Sequence, residues 1–98
     1  MAEGAQQRQV QIRIDASRMN TSYANTIRTT TTIDEVVLDF GLNLPTQGPN
    51  NQPAMVFAVG SRVVLNWAGA KRLAGSLSQL IQNYEKARGE IDLNQGQG

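Results

Sequence analysis

The sequence predicts an α+β fold, in which an antiparallel sheet of about four strands is followed by one long C-terminal amphipathic helix packed on one face of the sheet. Before residue 66, several stretches alternate apolar and polar residues with a period of two, which is typical of half-buried strands. From residue 67 to residue 88, apolar residues recur at three- and four-residue steps, which indicates a helix. The 98 residues suffice for one domain and leave no room for a second core.

The first two predicted strands occupy residues 9–15 and 22–30. The first stretch alternates strictly between apolar and polar side chains. The second is rich in β-branched and aromatic residues, with Tyr23 and Ile27 on one parity. The apolar positions of the first strand are Val10, Ile12 and Ile14.

The second and third strands are expected to form a hairpin, because the junction between them, Thr31 to Asp34, is too short for any other connection. A two-residue loop at Thr31-Thr32 would pair Ile27 with Val36, and a four-residue loop would pair Ile27 with Leu38. The shorter loop favours Asn-Gly or Asp-Gly, which the sequence lacks here, so we prefer the four-residue loop. Both pairings keep the same residues on the inner face.

The third and fourth predicted strands occupy residues 34–44 and 54–65. Between them, residues 45–53 hold all three prolines of the chain and predict a long exposed loop. The polar Ser61 is the one interruption of the apolar parity of the fourth strand, and Gly60 stands beside it. This interruption favours one long strand with a bulge near Gly60 over a second hairpin.

The helix is expected to run from about Trp67 to Arg88. Asn66 is a candidate N-cap, and Gly89 stands where a residue of positive φ would end the helix. Its length of roughly 33 Å would cross the sheet, so we expect one contiguous core between helix and sheet. That core comprises Val36, Leu38, Phe40, Phe57, Val63, Leu65, Leu73, Leu77, Ile81 and Tyr84.

The domain is predicted to span residues 9–91. Residues 1–8 and 92–98 are rich in Gln, Gly and Asn with little to bury, so we expect disordered tails there. The first residues lack a basic region followed by an apolar run, and no stretch approaches the ~20 apolar residues of a membrane span. We therefore expect a cytoplasmic protein that does not enter the membrane.

The composition argues against an enzyme. Cysteine and histidine are both absent, which removes thiolate nucleophiles, imidazole acid–base chemistry and the common zinc sites. Glu35 and Asp39 would lie about 13 Å apart along a strand, too far for paired-carboxylate hydrolysis, and Glu35 is expected to pair with Arg28 across strands. The glycines match no nucleotide-binding spacing. We expect no catalytic residue, no cofactor and no metal site.

An ordered set of short motifs runs through residues 22–91, namely Tyr23-Ala24-Asn25, Leu38-Asp39-Phe40, Ser61-Arg62, Ala70-Lys71 and Tyr84-Glu85. In this combination the chain resembles an uncharacterised bacterial family of proteins of about this length, known only as a domain of unknown function. The resemblance implies no activity, cofactor or catalytic residue. A looser similarity of layout, without any shared motif, links the expected fold to SecB-type export chaperones, which assemble into dimers and tetramers.

The leading functional hypothesis is a protein–protein interaction module that self-associates, with a chaperone-like or scaffold role. One helix can shield only one face of the sheet, and the alternation places Val37, Val56, Ala58 and Val64 on the other face. The helical stripe is also wider than a two-helix seam requires. The residues expected to take part in self-association are Leu80, Tyr84, Trp67, Val37, Val56 and Val64.

The alternative is a nucleic-acid-associated accessory protein. Arg13, Arg28 and Arg62 would project from the outer face of the sheet. However, nine basic and eight acidic residues give a net charge of only +1, and acidic residues share that face. The charges are also spread along the chain, so nucleic acid is not the expected partner.

Overall fold

The computed structural model describes residues 9–94. In chain order the elements are strand β1 (Thr26–Thr31), strand β2 (Glu35–Gln47), strand β3 (Pro53–Asn66) and helix α1 (Trp67–Arg88). The three strands form one antiparallel sheet in the order β1-β2-β3. The predicted α+β class is confirmed, although the sheet has three strands and not four.

The predicted first strand is the missing one. Residues 9–15 belong to no strand, and the side chains of Val10, Ile12 and Ile14 are about nine-tenths exposed. Alternation of apolar and polar residues predicts which face of a strand each side chain would occupy. A strand also requires a neighbouring strand that pairs with its backbone N–H and C=O groups, and alternation does not show whether one is present. The predicted tail at residues 1–8 and residues 95–98 of the second predicted tail lie outside the described residues.

The second predicted strand corresponds to β1. It begins at Thr26, four residues later than predicted, because its regular pairing with β2 ends at Asn25. Its backbone N–H donates to the carbonyl of Gly41 (3.0 Å), and its side-chain Oδ1 accepts from the backbone N–H of Asn43 (3.2 Å). A side-chain amide thus takes the place of the next backbone partner of β2. Tyr23, just before it, is exposed.

The β1–β2 hairpin pairs Ile27 with Phe40, so both predicted registers were wrong by a multiple of two residues. The turn centres on residues 33–34 because the Thr32 hydroxyl accepts from the backbone N–H of Glu35 (3.0 Å) and of Asp34 (3.3 Å). The shift is even, so the predicted face of each side chain is retained.

Strands β2 and β3 pair over their whole length, and the predicted loop at 45–53 shrinks to residues 48–52, with a 3-10 turn at Pro49–Asn51. Pro45 lies within β2, where a missing N–H is tolerated because β1 has already ended and that edge is open. Asn50 and Asn51 have φ values of 61° and 60°, which asparagine adopts more readily than most residues.

The predicted bulge is confirmed, and β3 is one strand. The register passes from Phe40–Ser61 to Gly41–Val59 and leaves Gly60 unpaired. Paired residues share a face, so the bulge places Phe57 with Asn43, on the side opposite Val63 and Leu65. The predicted core assumed one parity throughout β3 and was wrong for Phe57.

The two sides of the sheet are named here by the residues of β2. Face 1 carries Val36, Leu38, Phe40, Leu42 and Leu44, together with their partners on the other strands. Face 2 carries Val37, Asp39, Gly41 and Asn43, with their own partners.

Helix α1 has the predicted bounds but does not lie across the sheet. Asn66 Oδ1 accepts from the backbone N–H of Gly69 (2.7 Å), as predicted for an N-cap, and Gly89 ends the helix with a φ of 93°. Asn66 is also the last residue of β3, so no connecting residue remains in which the chain could reverse, whereas strand-to-helix connections usually take 2–6 residues. Only the first turn of α1 lies near face 1, where Gly69 approaches the side chain of Leu65.

The predicted core does not form within one chain. Among residues 9–94, Val36 is the single buried hydrophobic residue, with 7% of its surface exposed. Leu38, Phe40, Phe57 and Leu65 are half-buried. The remaining members of the predicted core are exposed: Val63, Leu73, Leu77, Ile81 and Tyr84.

Candidate functional site

An uncovered apolar stripe runs along α1. Its members repeat at three- and four-residue steps, so they lie on one side of the helix. Leu80 is 63% exposed and Tyr84 is 52% exposed, so nothing in the described part of the chain covers the C-terminal half of the stripe. The stripe consists of Leu73, Leu77, Leu80, Ile81 and Tyr84.

The end of α1 extends this stripe with a short return of the chain. The backbone N–H of Gly89 donates to the carbonyl of Glu85 (2.8 Å), and the Glu85 carboxylate accepts from the backbone N–H of Ile91 (2.9 Å). These two bonds hold the chain after the helix close to its last turn. As a result, an open apolar groove of about 440 Å³ forms, lined by Leu80, Ile81, Tyr84 and Ile91.

Trp67 occupies the junction between the sheet and the helix. Its indole Nε1–H donates to the backbone carbonyl of Thr32 in the β1–β2 turn at 3.4 Å, and half of the residue remains exposed. The indole therefore ties the start of α1 to the hairpin while presenting an apolar surface. Trp67 is therefore in contact with the hairpin of its own chain, and its exposed part is the surface that the predicted self-association would use.

The three valines expected to share one outer surface are divided between the two faces. Val37 and Val64 are direct cross-strand partners on face 2. Val56 pairs with Leu44 on face 1, because the bulge at Gly60 separates it in phase from Val64. The prediction that Val56 lies with Val37 and Val64 was therefore wrong.

Face 1 is the second large uncovered apolar surface of the chain. Its β2 residues Leu38, Phe40 and Leu42 are only half-buried, although they lie in the centre of the sheet. No element in the described range packs over them beyond the first turn of α1. The exposed apolar residues at the margins of this face are Ile27, Leu44, Val56 and Val63.

Face 2 carries an ion pair across its strands. Arg62 donates to the Asp39 carboxylate through Nε (2.7 Å) and Nη2 (2.9 Å). These hydrogen bonds lower the pKa of Asp39 and raise the pKa of Arg62 relative to their ordinary values. The pairing expected between Glu35 and Arg28 does not occur, since the hairpin register places Arg28 opposite Asp39.

Arg28 is engaged on face 2 by an aromatic ring. Its guanidinium carbon lies 5.4 Å from the centre of the Phe57 ring, within the range of a cation–π contact. That ring also passes over Gly41, where a β-carbon would meet it at 2.9 Å. Within residues 9–94 no three acidic side chains come together in a group that could hold a metal ion. No helix of this range is long and apolar enough to span a membrane.

Two features of these surfaces could not be found by alternation alone. The groove depends on Ile91, which lies beyond the helix, and its sequence signal is the combination of Glu85 with Gly89 and Ile91. The division of the valines depends on Gly60, which the sequence marked as a bulge without indicating that the faces exchange. Of the expected self-association residues, the structure brings together Leu80 with Tyr84 and Val37 with Val64, and leaves Trp67 and Val56 separate.

Comparison with known proteins identifies a family for this sequence. The family described as "Protein of unknown function (DUF3467)" matches residues 1–93. Neither the search of curated proteins nor the search of solved structures finds a match.

Proposed function

Because the chain belongs to the DUF3467 family, whose function is unknown, we propose its function from its surfaces: a non-enzymatic protein–protein interaction module that self-associates. The observation that carries this proposal is the single buried hydrophobic residue in residues 9–94. A folded domain needs far more apolar burial than one valine to offset the conformational entropy of ordering its chain. A second copy would supply the missing burial.

Two surfaces of the chain are available for this burial. The stripe of α1 and face 1 are both apolar, and α1 leaves β3 without a connecting residue in which the chain could turn back. A second copy of the chain can place its own stripe against either surface without that constraint. In a two-fold arrangement the same surfaces of both copies are buried at once.

Self-association through the stripe would bury the groove at the end of α1. Leu80 is its most exposed member and lies near the middle of the helix. A charge placed there would have to be buried without a partner in the assembly, which is strongly unfavourable. A scaffold or chaperone-like role in the cytoplasm would use the same apolar surfaces, and it forms part of the proposal.

The experiment measures the molar mass of the full chain by size-exclusion chromatography with light scattering. We expect at least twice the monomer mass of 10.7 kDa for the unchanged chain. Leu80→Glu should shift the mass towards the monomer and lower the melting temperature. The matched control is Gln82→Glu, which adds the same charge to an exposed position away from the stripe and leaves Lys86 one turn ahead as a partner.

Two outcomes would contradict this proposal in different ways. An unchanged chain that is monomeric at tens of micromolar would rule out self-association. An assembly that Leu80→Glu leaves intact, with an unchanged melting temperature, would show that the stripe is not the buried surface.

The nucleic-acid alternative gains no support from the arrangement of the arginines. Arg62 is bound by a carboxylate, and Arg28 lies over a phenyl ring, so both guanidinium groups already have partners on face 2. Because Asp39 offsets the charge of Arg62, face 2 carries no cluster of uncompensated positive charge among residues 9–94, and a phosphate backbone is usually bound by such a cluster. The geometry therefore favours a protein partner.

A further inference from the structure

We propose that residues 11–15 of a second copy dock as an additional antiparallel strand along the free edge of β3. This inference rests on the proposed self-association and identifies a segment and an edge that would take part in it. Its starting point is a mismatch within residues 9–94. A segment with a strand pattern has no neighbouring strand, and a long strand has an unpaired edge.

The free edge belongs to β3. The sheet order β1-β2-β3 leaves one side of β3 without a partner in the described range, and the strand is 14 residues long. The part after the bulge, residues 61–66, pairs regularly with β2 and is mostly exposed. An exposed edge of this kind is a template for another strand unless something covers it.

The segment matches this edge in the distribution of apolar residues. An added strand continues both faces of the sheet, so its apolar residues must meet Val63 and Leu65 on face 1. Ile12 and Ile14 have the required spacing, and they are about nine-tenths exposed in the single chain. The intervening Arg13 would then lie on face 2.

Charge and side-chain size together select one register among the pairings that place Ile12 and Ile14 on face 1. With Ile14 opposite Val63 and Ile12 opposite Leu65, Asp15 lies opposite Arg62. A shift by two residues in one direction would place Arg13 opposite Arg62, which sets like charges against each other. A shift by two in the other direction would place the small Ala16 opposite Val63 and Ser17 opposite Arg62, so both the apolar contact and the ion pair would be lost. Arg62 has an exposed side chain, so a second carboxylate can reach it beside Asp39.

The second copy is the better source of the segment because of where residues 16–25 lead. They connect the segment to β1, which is the opposite edge of the sheet from β3. To reach its own β3, the segment would have to carry these ten residues across a face of the sheet. A neighbouring copy presents the same edge without that crossing.

Single cysteine variants test this docking cleanly, since the chain contains no cysteine. Purified Ile14→Cys and Val63→Cys variants are mixed in equal amounts under mild oxidation. Residues directly opposite on neighbouring strands have β-carbons close enough for a disulfide, whereas side chains on opposite faces point apart. The control mixture pairs Arg13→Cys with Val63→Cys, which would lie on opposite faces.

The expected result is a disulfide-linked heterodimer from the first mixture that forms at least about tenfold faster than in the control, as the geometry requires. The mixture is repeated with Ser61→Cys and Leu65→Cys in place of Val63→Cys. Faster linkage at either of these positions would overturn the register, and equal slow linkage at all three would overturn the docking.

A chain that carries both Ile14→Cys and Val63→Cys tests the source of the segment. At concentrations where the chain is assembled it should form disulfide-linked oligomers, and a product linked only within single chains would overturn the assignment to a second copy. Light scattering on the cysteine-free chain separates this proposal from the preceding one. An assembled chain without the cross-link would leave self-association standing and remove the docked strand, whereas a monomer would remove both.

Discussion

At the scale of single residues, close approach between β2 and β3 depends on Gly41. A β-carbon built on Gly41 would overlap the backbone carbonyl of Ala58 and would meet the Phe57 ring at 2.9 Å. The backbone of Ala58 cannot move without disturbing its ladder with β2. Glycine is therefore required at position 41 because a larger residue would not fit on face 2, and not because the backbone there has an unusual conformation.

Replacing Gly41 with Ala should destabilise the protein by about 1–3 kcal/mol, because the two strands have to separate to admit the methyl group. Denaturant unfolding measures this change. Gly75→Ala is the matched control, since no atom lies within 4 Å of its β-carbon and alanine favours the helix interior by about 0.5–1 kcal/mol. Equal stability of Gly41→Ala and the unchanged chain would show that the strands have room to spare.

The Asp39–Arg62 pair predicts a dependence of stability on pH. The pKa of Asp39 is lowered in the folded chain by the hydrogen bonds from Arg62. The stabilisation is therefore complete above the unfolded pKa of about 3.9 and is lost as the pH falls through the lower folded value. Asp39→Asn should reduce this acid-dependent loss, seen as a flatter melting temperature between pH 5 and the acid limit. An identical acid profile for both chains would mean that the pair does not contribute.

At the scale of elements, local chemistry predicted the helix well. Asn66 and Gly89 mark its ends through their own backbone and side-chain groups, so its bounds follow from a few neighbouring residues. The strands were less predictable, because the strand that pairs with a given strand can lie far away in sequence. The hairpin register depended on the Thr32 hydroxyl, and the start of β1 depended on the Asn25 side chain. Neither of these two hydrogen bonds can be predicted from the alternation of apolar residues.

The candidate surfaces show the same division. The stripe of α1 follows from helical periodicity and was expected with its residues. Whether that stripe would be covered depended on the direction in which α1 leaves β3. That direction follows from the absence of a loop between β3 and α1 at Asn66. The periodicity of apolar residues does not indicate whether such a loop is present.

Replacing Asn66 with Ala should destabilise the protein by about 1 kcal/mol, because the backbone N–H of Gly69 loses its acceptor at the start of α1. Asn66→Ser keeps a side-chain acceptor at the same place and is the control, since it adds no charge opposite Glu35, the cross-strand partner of residue 66. Circular dichroism during thermal unfolding follows the helix directly. A melting curve of Asn66→Ala that coincides with that of the unchanged chain would show that the cap is unnecessary once the helix is packed.

At the scale of the whole molecule, stability and assembly should be inseparable. A chain that buries one hydrophobic residue among residues 9–94 has little core of its own, and most of its apolar burial would come from the interface. Folding and association then occur as one equilibrium. Protein concentration enters that equilibrium directly.

The melting temperature should therefore rise with protein concentration. Scanning calorimetry or circular dichroism from one micromolar to one hundred micromolar measures the shift, and Leu80→Glu should melt at a lower temperature with a weaker dependence on concentration. A melting temperature that is constant over this range would indicate that each chain folds on its own. The proposed interface would then have no part in stability.

The bulge at Gly60 makes β3 two runs of opposite phase joined by a spacer. Because Ser61 and Val59 already pair with consecutive residues of β2, deletion of Gly60 would leave every cross-strand pair and every face assignment in place, and would remove only the local bend. Deletion inside either run, away from the bulge, would shift the residues between the deletion and Gly60 by one position and turn their side chains to the other face of the sheet. The strand therefore tolerates a change of length at one point, and the hydrophobic pattern on either side of that point has to be read separately.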